Sequence, residues 1–133
     1  MNLSKIENLN YVVQRNWENL PDISGYEDID LLVADEHYFL LKEATKDWGI
    51  KVDIRTTKDG YYPIRLAELM LEGRRKYNGF WIPSLSGAFL GIYYHSLYHK
   101  PNNPYADKLK QLFRKWIPPV KPDDEGVKIY DID

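Results

Sequence analysis

The sequence predicts an α+β domain, built from a small mixed β-sheet with helices packed mainly on one face. Residues 28–33 begin with two acids around an apolar residue and continue as an apolar run, which is typical of a strand. Residues 51–55 form a second short alternating segment and predict another strand. Residues 35–48 between them place apolar side chains at near-helical spacing, so we expect a helix that covers one face of the sheet.

Capping and turn signals place the N-terminal elements. Ser4 is followed three residues later by Glu7, a capping box that predicts a short helix ending near residue 9. We expect a strand at 11–15 and then a turn, because residues 19–25 contain Asn, Pro, Asp, Ser and Gly. In the next helix, Asp35 is the expected N-cap and Gly49 the expected stop.

The second half of the chain is expected to be mainly helical. Pro63 opens a predicted helix at 64–77, which would carry the basic run Arg74-Arg75-Lys76 at its C-terminal end. The later predictions are a short strand or extended connection at 80–83 and helices at 84–100 and 105–116. Two regions follow from this: a domain at 1–117 and a Pro-rich, acidic C-terminal tail at 118–133.

Composition bounds the classes of function. The 133 residues are 44% hydrophobic, with a formal net charge of -2, so one domain with a real core is expected and nucleic acid is an unlikely routine partner. The absence of cysteine excludes disulfides and thiolate metal sites. No apolar run approaches the roughly 20 residues of a membrane span and no apolar signal segment is visible, so we expect a cytoplasmic protein without a membrane partner. The oligomeric state is not indicated.

Three aspartates are the strongest candidates for chemistry. Asp28 and Asp30 are two residues apart in a predicted strand, so their side chains point to the same face. If the strand at 51–55 pairs beside this one, Asp53 completes a cluster of three carboxylates. Carboxylate oxygens suit Mg²⁺ or Mn²⁺, and such ions activate hydroxyl groups and bind phosphoryl groups that are being transferred. The alternative is a solvated face of an amphipathic strand, where acids are common.

The order of these segments resembles the nucleotidyltransferase fold of the DNA polymerase β superfamily. The resemblance runs from about Tyr11 to Arg55: a first strand, a turn through Gly25, the Asp-x-Asp strand, a helix, and a strand with a third acid. It implies that Asp28 and Asp30 hold metal ions, and that Asp53 holds a second ion and helps to deprotonate the acceptor. The implied substrates are an NTP and an unknown hydroxyl or phosphate acceptor, either a small molecule or a glycan-related compound.

The chain departs from this family after the first strand. Family members that bind nucleotide usually have Gly-Gly or Gly-Ser there, where small residues let backbone N–H groups approach the triphosphate. This chain instead has Gln14-Arg15-Asn16-Trp17. Arg15 can bind phosphate through its guanidinium fork and Asn16 through its amide, while Arg55 shares the strand face of Asp53. We therefore expect Arg15, Asn16 and Arg55 to bind the nucleotide.

Two other functions remain open from the sequence. A glycosyltransferase also uses Asp-x-Asp to bind Mn²⁺ and a nucleotide-sugar diphosphate, although such domains are normally longer than this chain. A non-catalytic interaction module would keep the fold and lose nucleotide binding, which the missing glycine turn favours. Two weaker sites are the pair His95 and His99, at a spacing that can bind zinc, and the pair Tyr61 and Tyr62, which can stack on a base or simply pack in the core.

Overall fold

The computed structural model describes residues 1–99 and Lys110. It divides the chain into two compact units, Met1–Gly91 and Ile92–Asp133. The strands are β1 (Tyr11–Val13), β2 (Asp28–Val33), β3 (Lys51–Thr56), β4 (Arg75–Tyr77) and β5 (Phe80–Ile82). The α-helices are α1 (Tyr38–Thr45), α2 (Ile64–Glu72) and α3 (Leu85–Tyr94). Apart from Lys110, the predicted helix at 105–116 and the tail at 118–133 lie outside the described residues, as does the predicted boundary at 117.

The main sheet has three strands in the order β1-β2-β3 and is mixed, as predicted. β1 runs antiparallel to β2, with Tyr11 opposite Val33. β2 runs parallel to β3, with Asp30 opposite Asp53. The parallel pair is joined by a crossover that contains α1, since a parallel connection needs a long segment between the strands. The α+β class and the pairing of the two acid-bearing strands are therefore confirmed.

The hydrophobic core lies on the sheet face opposite the acids. Because successive side chains alternate, Ile29 and Leu31 point away from Asp28 and Asp30 and are nearly fully buried. Leu41 of α1 belongs to the same buried cluster, so α1 covers this face. The sequence predicted helices mainly on one face. However, Val12 and Leu32 point to the other face and are also fully buried, so that face is covered near its centre as well.

The helix after β2 is shorter than predicted, and Asp35 does not cap it. Asp35 lies in a 3-10 turn, Asp35–His37, that precedes α1. Its carboxylate accepts a hydrogen bond from the backbone N–H of Lys58 at 3.2 Å, which ties this turn to the loop after β3. α1 ends at Thr45 with Lys46 as its C-cap, so Gly49 is not the helix stop that the sequence predicted. Gly49 lies three residues further on and has a positive φ of 72°, a conformation that glycine adopts without strain.

The predicted helix at 64–77 ends early, and its last residues form a hairpin. α2 stops at Glu72, and β4 then pairs with β5 in antiparallel fashion. Asn78 and Gly79 have φ values of 49° and 86°, the left-handed pair that a tight two-residue hairpin turn requires. Arg75 and Lys76 are consequently strand residues rather than a helical C-terminal cap. The short strand predicted at 80–83 is confirmed as β5.

Both chain ends of the described region also differ from expectation. The first helix is a single 3-10 turn, Leu3–Lys5, and Asn2 rather than Ser4 supplies the capping oxygen. α3 ends at Tyr94 and continues as a π-helical turn, His95–His99, within the range predicted as one helix. Among the described residues, none of the helices has the length and apolar character needed to cross a membrane.

Candidate functional site

Three carboxylates meet on one face of the main sheet. Asp28 and Asp30 project together from β2, and the parallel register places Asp53 of β3 beside Asp30. One oxygen from each of the three side chains lies within 4.8 Å of the others. Among the described residues this is the only group of three potential metal ligands of the His, Cys, Asp and Glu types. The predicted convergence of the three acids is confirmed.

The spacing of this acid triad suits a hard divalent cation after a small adjustment. Oxygens on opposite sides of an ion with bond lengths of about 2.0 to 2.1 Å are about 4.2 Å apart. Adjacent ligands of such an ion are about 2.9 Å apart, and the three oxygens lie within 4.8 Å of one another, so the side chains must move closer before all three can bind it. Oxygen ligands alone fit several divalent ions, so the triad can hold a metal ion without selecting one.

Asp30 is the most constrained of the three acids. Burial raises the pKa of its carboxyl group, and the adjacent Arg15 charge opposes that increase. The negative charges of Asp28 and Asp53 raise the pKa further, and the resulting pKa lies above the ordinary aspartate value. Ionised Asp30 is therefore in an unfavourable position, which a bound cation would relieve.

Arg15, the predicted triphosphate ligand, lies beside the acids. Its Nη2 is 3.4 Å from Asp30 Oδ2, in an ion pair whose side chains are 15% and 21% exposed. Its Nη1 donates to Gln14 Oε1 at 3.3 Å and to the Tyr62 hydroxyl at 3.4 Å. Burial lowers the pKa of Arg15, but Asp30 and the tyrosines more than offset this, so the guanidinium keeps its charge. The predicted nucleotide ligand is thus already paired with a predicted metal ligand.

Gln14 and Tyr62 hold this arginine, and the sequence did not single them out for that role. Both side chains are only 2% exposed. Gln14 donates through Nε2 to the Leu31 carbonyl at 2.9 Å, and its Oε1 accepts a short hydrogen bond from the Tyr62 hydroxyl. Burial raises the pKa of Tyr62 to about 12, so it remains a neutral donor. The available signal was a glutamine directly after two buried valines, because a buried amide needs partners.

Arg55 and Lys51 supply further positive charge on the acid-bearing face. Arg55 is two residues from Asp53 on β3, so it shares that face as predicted. Its guanidinium lies 4.2 Å from the centre of the Tyr61 ring, in a cation–π contact, and Tyr61 also hydrogen-bonds Arg15. The ion pair with Asp53 is made by Lys51, whose Nζ is 3.6 Å from Oδ1.

Asn16 lies at a pocket next to the triad. Its backbone has a positive φ of 59° at the start of the loop between β1 and β2. The pocket has a volume of about 300 Å³ and is lined mainly by polar residues of this loop and the start of β2: Asn16, Glu18, Asn19, Tyr26, Glu27 and Asp28. Three carboxylates and no Lys or Arg face it, so it does not favour phosphate.

Two other features lie away from the triad. A pocket of about 310 Å³ opens at the far end of the strands, where Ala34 and Thr57 line it, and no predicted site residue takes part. His95 and His99 stack with ring centres 5.4 Å apart. Neither belongs to a group of three potential metal ligands among the described residues, so the suggested zinc site gains no support.

Comparisons with known proteins did not identify a family. No family model, no curated protein and no solved structure matches this chain. The resemblance to the DNA polymerase β superfamily therefore stays a prediction.

Proposed function

We propose that the protein is a metal-dependent nucleotidyltransferase, which moves a nucleotidyl group from an NTP to a hydroxyl or phosphate acceptor. The observation that carries this proposal is the meeting of three carboxylates and Arg15 on one sheet face. Carboxylates alone would suit any divalent cation. A guanidinium beside them adds the group that best recognises phosphate, so the combination favours a phosphate-bearing substrate bound together with a metal ion.

The acid triad would hold Mg²⁺ or Mn²⁺. Asp28, Asp30 and Asp53 supply only oxygen ligands, which both ions prefer. The metal would supply positive charge to the phosphate oxygens and lower the pKa of the acceptor hydroxyl. Asp53 would take up the acceptor proton, as the family resemblance implies, and its side chain is 34% exposed, so it can pass a proton on to water.

Arg15 and Arg55 would bind the nucleotide. Both guanidinium groups lie on the acid-bearing face and contact Tyr61, which sets them close together. In the reaction, an acceptor oxygen attacks the α-phosphorus, a new P–O bond forms, and the bond to pyrophosphate breaks. The two arginines would orient the triphosphate and stabilise the charge that develops on the departing pyrophosphate.

The acceptor would enter from the pocket beside Asp28. That pocket has three carboxylates in its lining and no Lys or Arg, so it repels a triphosphate and suits a molecule rich in hydroxyl groups. Asn16 lines it and is better placed to bind the acceptor than the phosphates. A small-molecule or glycan-related acceptor fits its volume of about 300 Å³.

The test is binding of NTPs by titration calorimetry with and without Mg²⁺, followed by assay for pyrophosphate release. We expect wild type to bind an NTP only with Mg²⁺ or Mn²⁺, and Asp30→Asn to lose this binding. Asp35→Asn is a matched control, because Asp35 bonds the loop after β3 instead of joining the triad. Binding of a nucleotide-sugar instead would favour a glycosyltransferase, and binding of neither ligand would favour a non-catalytic interaction module.

A further inference from the structure

Arg15 is restrained far more strongly than an ordinary surface arginine. Gln14 and Tyr62, here termed the bracket, both bond its Nη1, and Gln14 is itself anchored to the backbone of β2 through the Leu31 carbonyl. The other nitrogen, Nη2, is thereby directed at Asp30. Since both bracket side chains are buried, the guanidinium has little freedom to leave the acid on its own.

A second cation beside the triad, Lys51, provides a comparison for the restraint of Arg15. Lys51 lies 3.6 Å from Asp53, nearly the same separation as Arg15 from Asp30, but its side chain is 71% exposed compared with 15% for Arg15. An exposed lysine is free to move into solvent at little cost, whereas a buried and bracketed guanidinium is not. The two cations therefore present very different obstacles to an ion that approaches the carboxylates.

We propose that Arg15 is the resident counter-ion of the triad, held in place by the bracket, and that a metal ion must displace it from Asp30 in order to bind. This rests on the proposed function for the identity of the site as a metal and nucleotide site. Gln14 and Tyr62 are positioning residues, because they act through Arg15. Without a metal, Arg15 neutralises the half-buried Asp30. With a metal bound, the guanidinium is released towards the phosphates.

The consequence is that metal and nucleotide bind cooperatively. A metal alone meets a carboxylate that is already paired, so its affinity is reduced by the energy of the Arg15 pair. A triphosphate offers Arg15 an alternative partner and so removes this competition. By linkage, nucleotide raises metal affinity by the same factor by which metal raises nucleotide affinity. The site is thereby kept from holding a metal tightly until its substrate is present.

The test is a titration of the protein with Mn²⁺ in the absence of nucleotide. The electron paramagnetic resonance signal of free Mn²⁺ measures how much of the ion is bound. We expect Arg15→Ala to bind Mn²⁺ more tightly than wild type, on the order of tenfold, the effect of removing a partly buried charged partner. Tyr62→Phe should tighten binding by a smaller factor, since Gln14 and Tyr61 still contact Arg15. In an Arg15→Ala background, Tyr62→Phe should have no further effect.

Two variants serve as controls. Lys51→Ala removes a positive charge from the same triad, and its effect should be well below that of Arg15→Ala. Tyr11→Phe removes another buried hydroxyl, which accepts a bond from the Trp81 N–H on the core side of the sheet, and should leave Mn²⁺ affinity unchanged. If Arg15→Ala does not fold in metal-free buffer, Arg15→Gln keeps the side chain as far as Cδ and a polar end group, and it tests removal of the same charge.

The outcomes separate this proposal from the proposed function. Equal Mn²⁺ affinity in wild type and Arg15→Ala, or equal effects of Lys51→Ala and Arg15→Ala, overturns the counter-ion role but leaves a metal site. If Tyr62→Phe changes Mn²⁺ affinity as much in the Arg15→Ala background as in wild type, Tyr62 does not act through Arg15 and the role of the bracket is overturned. Absence of Mn²⁺ binding in every variant overturns both the counter-ion role and the metal-dependent function.

Discussion

Replacement of Asp53 by Asn should stabilise the metal-free protein while abolishing its response to metal. Asp53 lies within 4.8 Å of both Asp28 and Asp30, so two repulsive pairs disappear when its charge is removed. The attraction that is lost is the pair with Lys51, which is 71% exposed. Asparagine is nearly the same size as aspartate, so packing changes little. The change therefore tests electrostatics and metal binding with limited structural cost.

The expected size follows from these distances. At 4.8 Å and an effective dielectric constant of about 20, each repulsive pair has a Coulomb energy of about 3.5 kcal/mol before relaxation and screening. Salt and rotation of exposed side chains reduce such energies to about 1 kcal/mol or less per pair, and the exposed Lys51 pair contributes a similar or smaller amount. We expect a net stabilisation of about 1 kcal/mol, which raises Tm by about 4 °C.

Thermal unfolding with and without millimolar Mg²⁺ measures both effects. Wild type should gain stability with metal concentration, because a ligand that binds only the folded state stabilises it. Asp53→Asn should have a higher Tm than wild type without Mg²⁺, and its Tm should not increase when Mg²⁺ is added. Asp30→Asn is the informative comparison, since it should also lose the metal response. The ionised Asp30 carboxylate is unfavourably placed even with its Arg15 pair, so this variant should be stabilised without metal as well. A clear loss of stability in metal-free Asp53→Asn would refute the reasoning, because it would show that Asp53 makes stabilising contacts that outweigh the repulsion.

Three further predictions concern Asp30, Arg15 and the turn between β4 and β5. The pKa of Asp30 is raised in the folded state, so its contribution to the free energy of unfolding becomes more favourable as pH falls from neutral towards the ordinary aspartate pKa of about 4. In urea unfolding, the free energy of unfolding of wild type should therefore rise relative to that of Asp30→Asn across that pH range. Arg15→Ala should weaken metal-dependent NTP binding by about 1.5 to 3 kcal/mol in calorimetry, and Lys should restore only part, because it cannot form a bidentate fork. Gly79→Ala should lower the free energy of unfolding by about 1 to 2 kcal/mol in denaturant, which is more than the loss at Gly60→Ala. Both glycines have a positive φ, but of the two only Gly79 would place a new Cβ against a side chain, with Leu3 Cδ1 at 3.0 Å. Equal losses at the two glycines would remove the steric part of that argument.

The acid triad was predictable because it depends on strand periodicity and on one strand pairing. Asp28 and Asp30 share a face through the two-residue repeat of a strand, whatever the rest of the fold does. Asp53 needed one further condition, that its strand pairs beside the first, and the register satisfies it. Placing Arg15 near the acids required the resemblance as well, since residue 15 lies beyond the end of β1 and its direction is not fixed by strand alternation.

The hairpin after α2 was missed because local signals conflicted. Residues 64–77 have enough apolar residues at helical spacing to suggest a longer helix, and Arg74-Arg75-Lys76 resembles the basic end of one. Asn78-Gly79 is nevertheless among the strongest short hairpin signals, since both residues adopt left-handed conformations readily. Gly73, which ends α2 with its N–H bonded to the Leu69 carbonyl, was the complementary stop signal. Together these two signals outweigh the helical pattern.

The mixed topology explains why Arg15 and Asp53 reach opposite sides of one carboxylate. Asp30 lies in the central strand, so it has a neighbour on each side. The antiparallel strand β1 continues past Val13 to Gln14, whose N–H bonds the Asp30 carbonyl, and Arg15 follows it directly. The parallel strand β3 brings Asp53 to the same level from the other side. A central Asp30 is thus the residue for which a resident cation and an incoming metal ion must compete, and Gln14 links the two events because it bonds both β2 and Arg15.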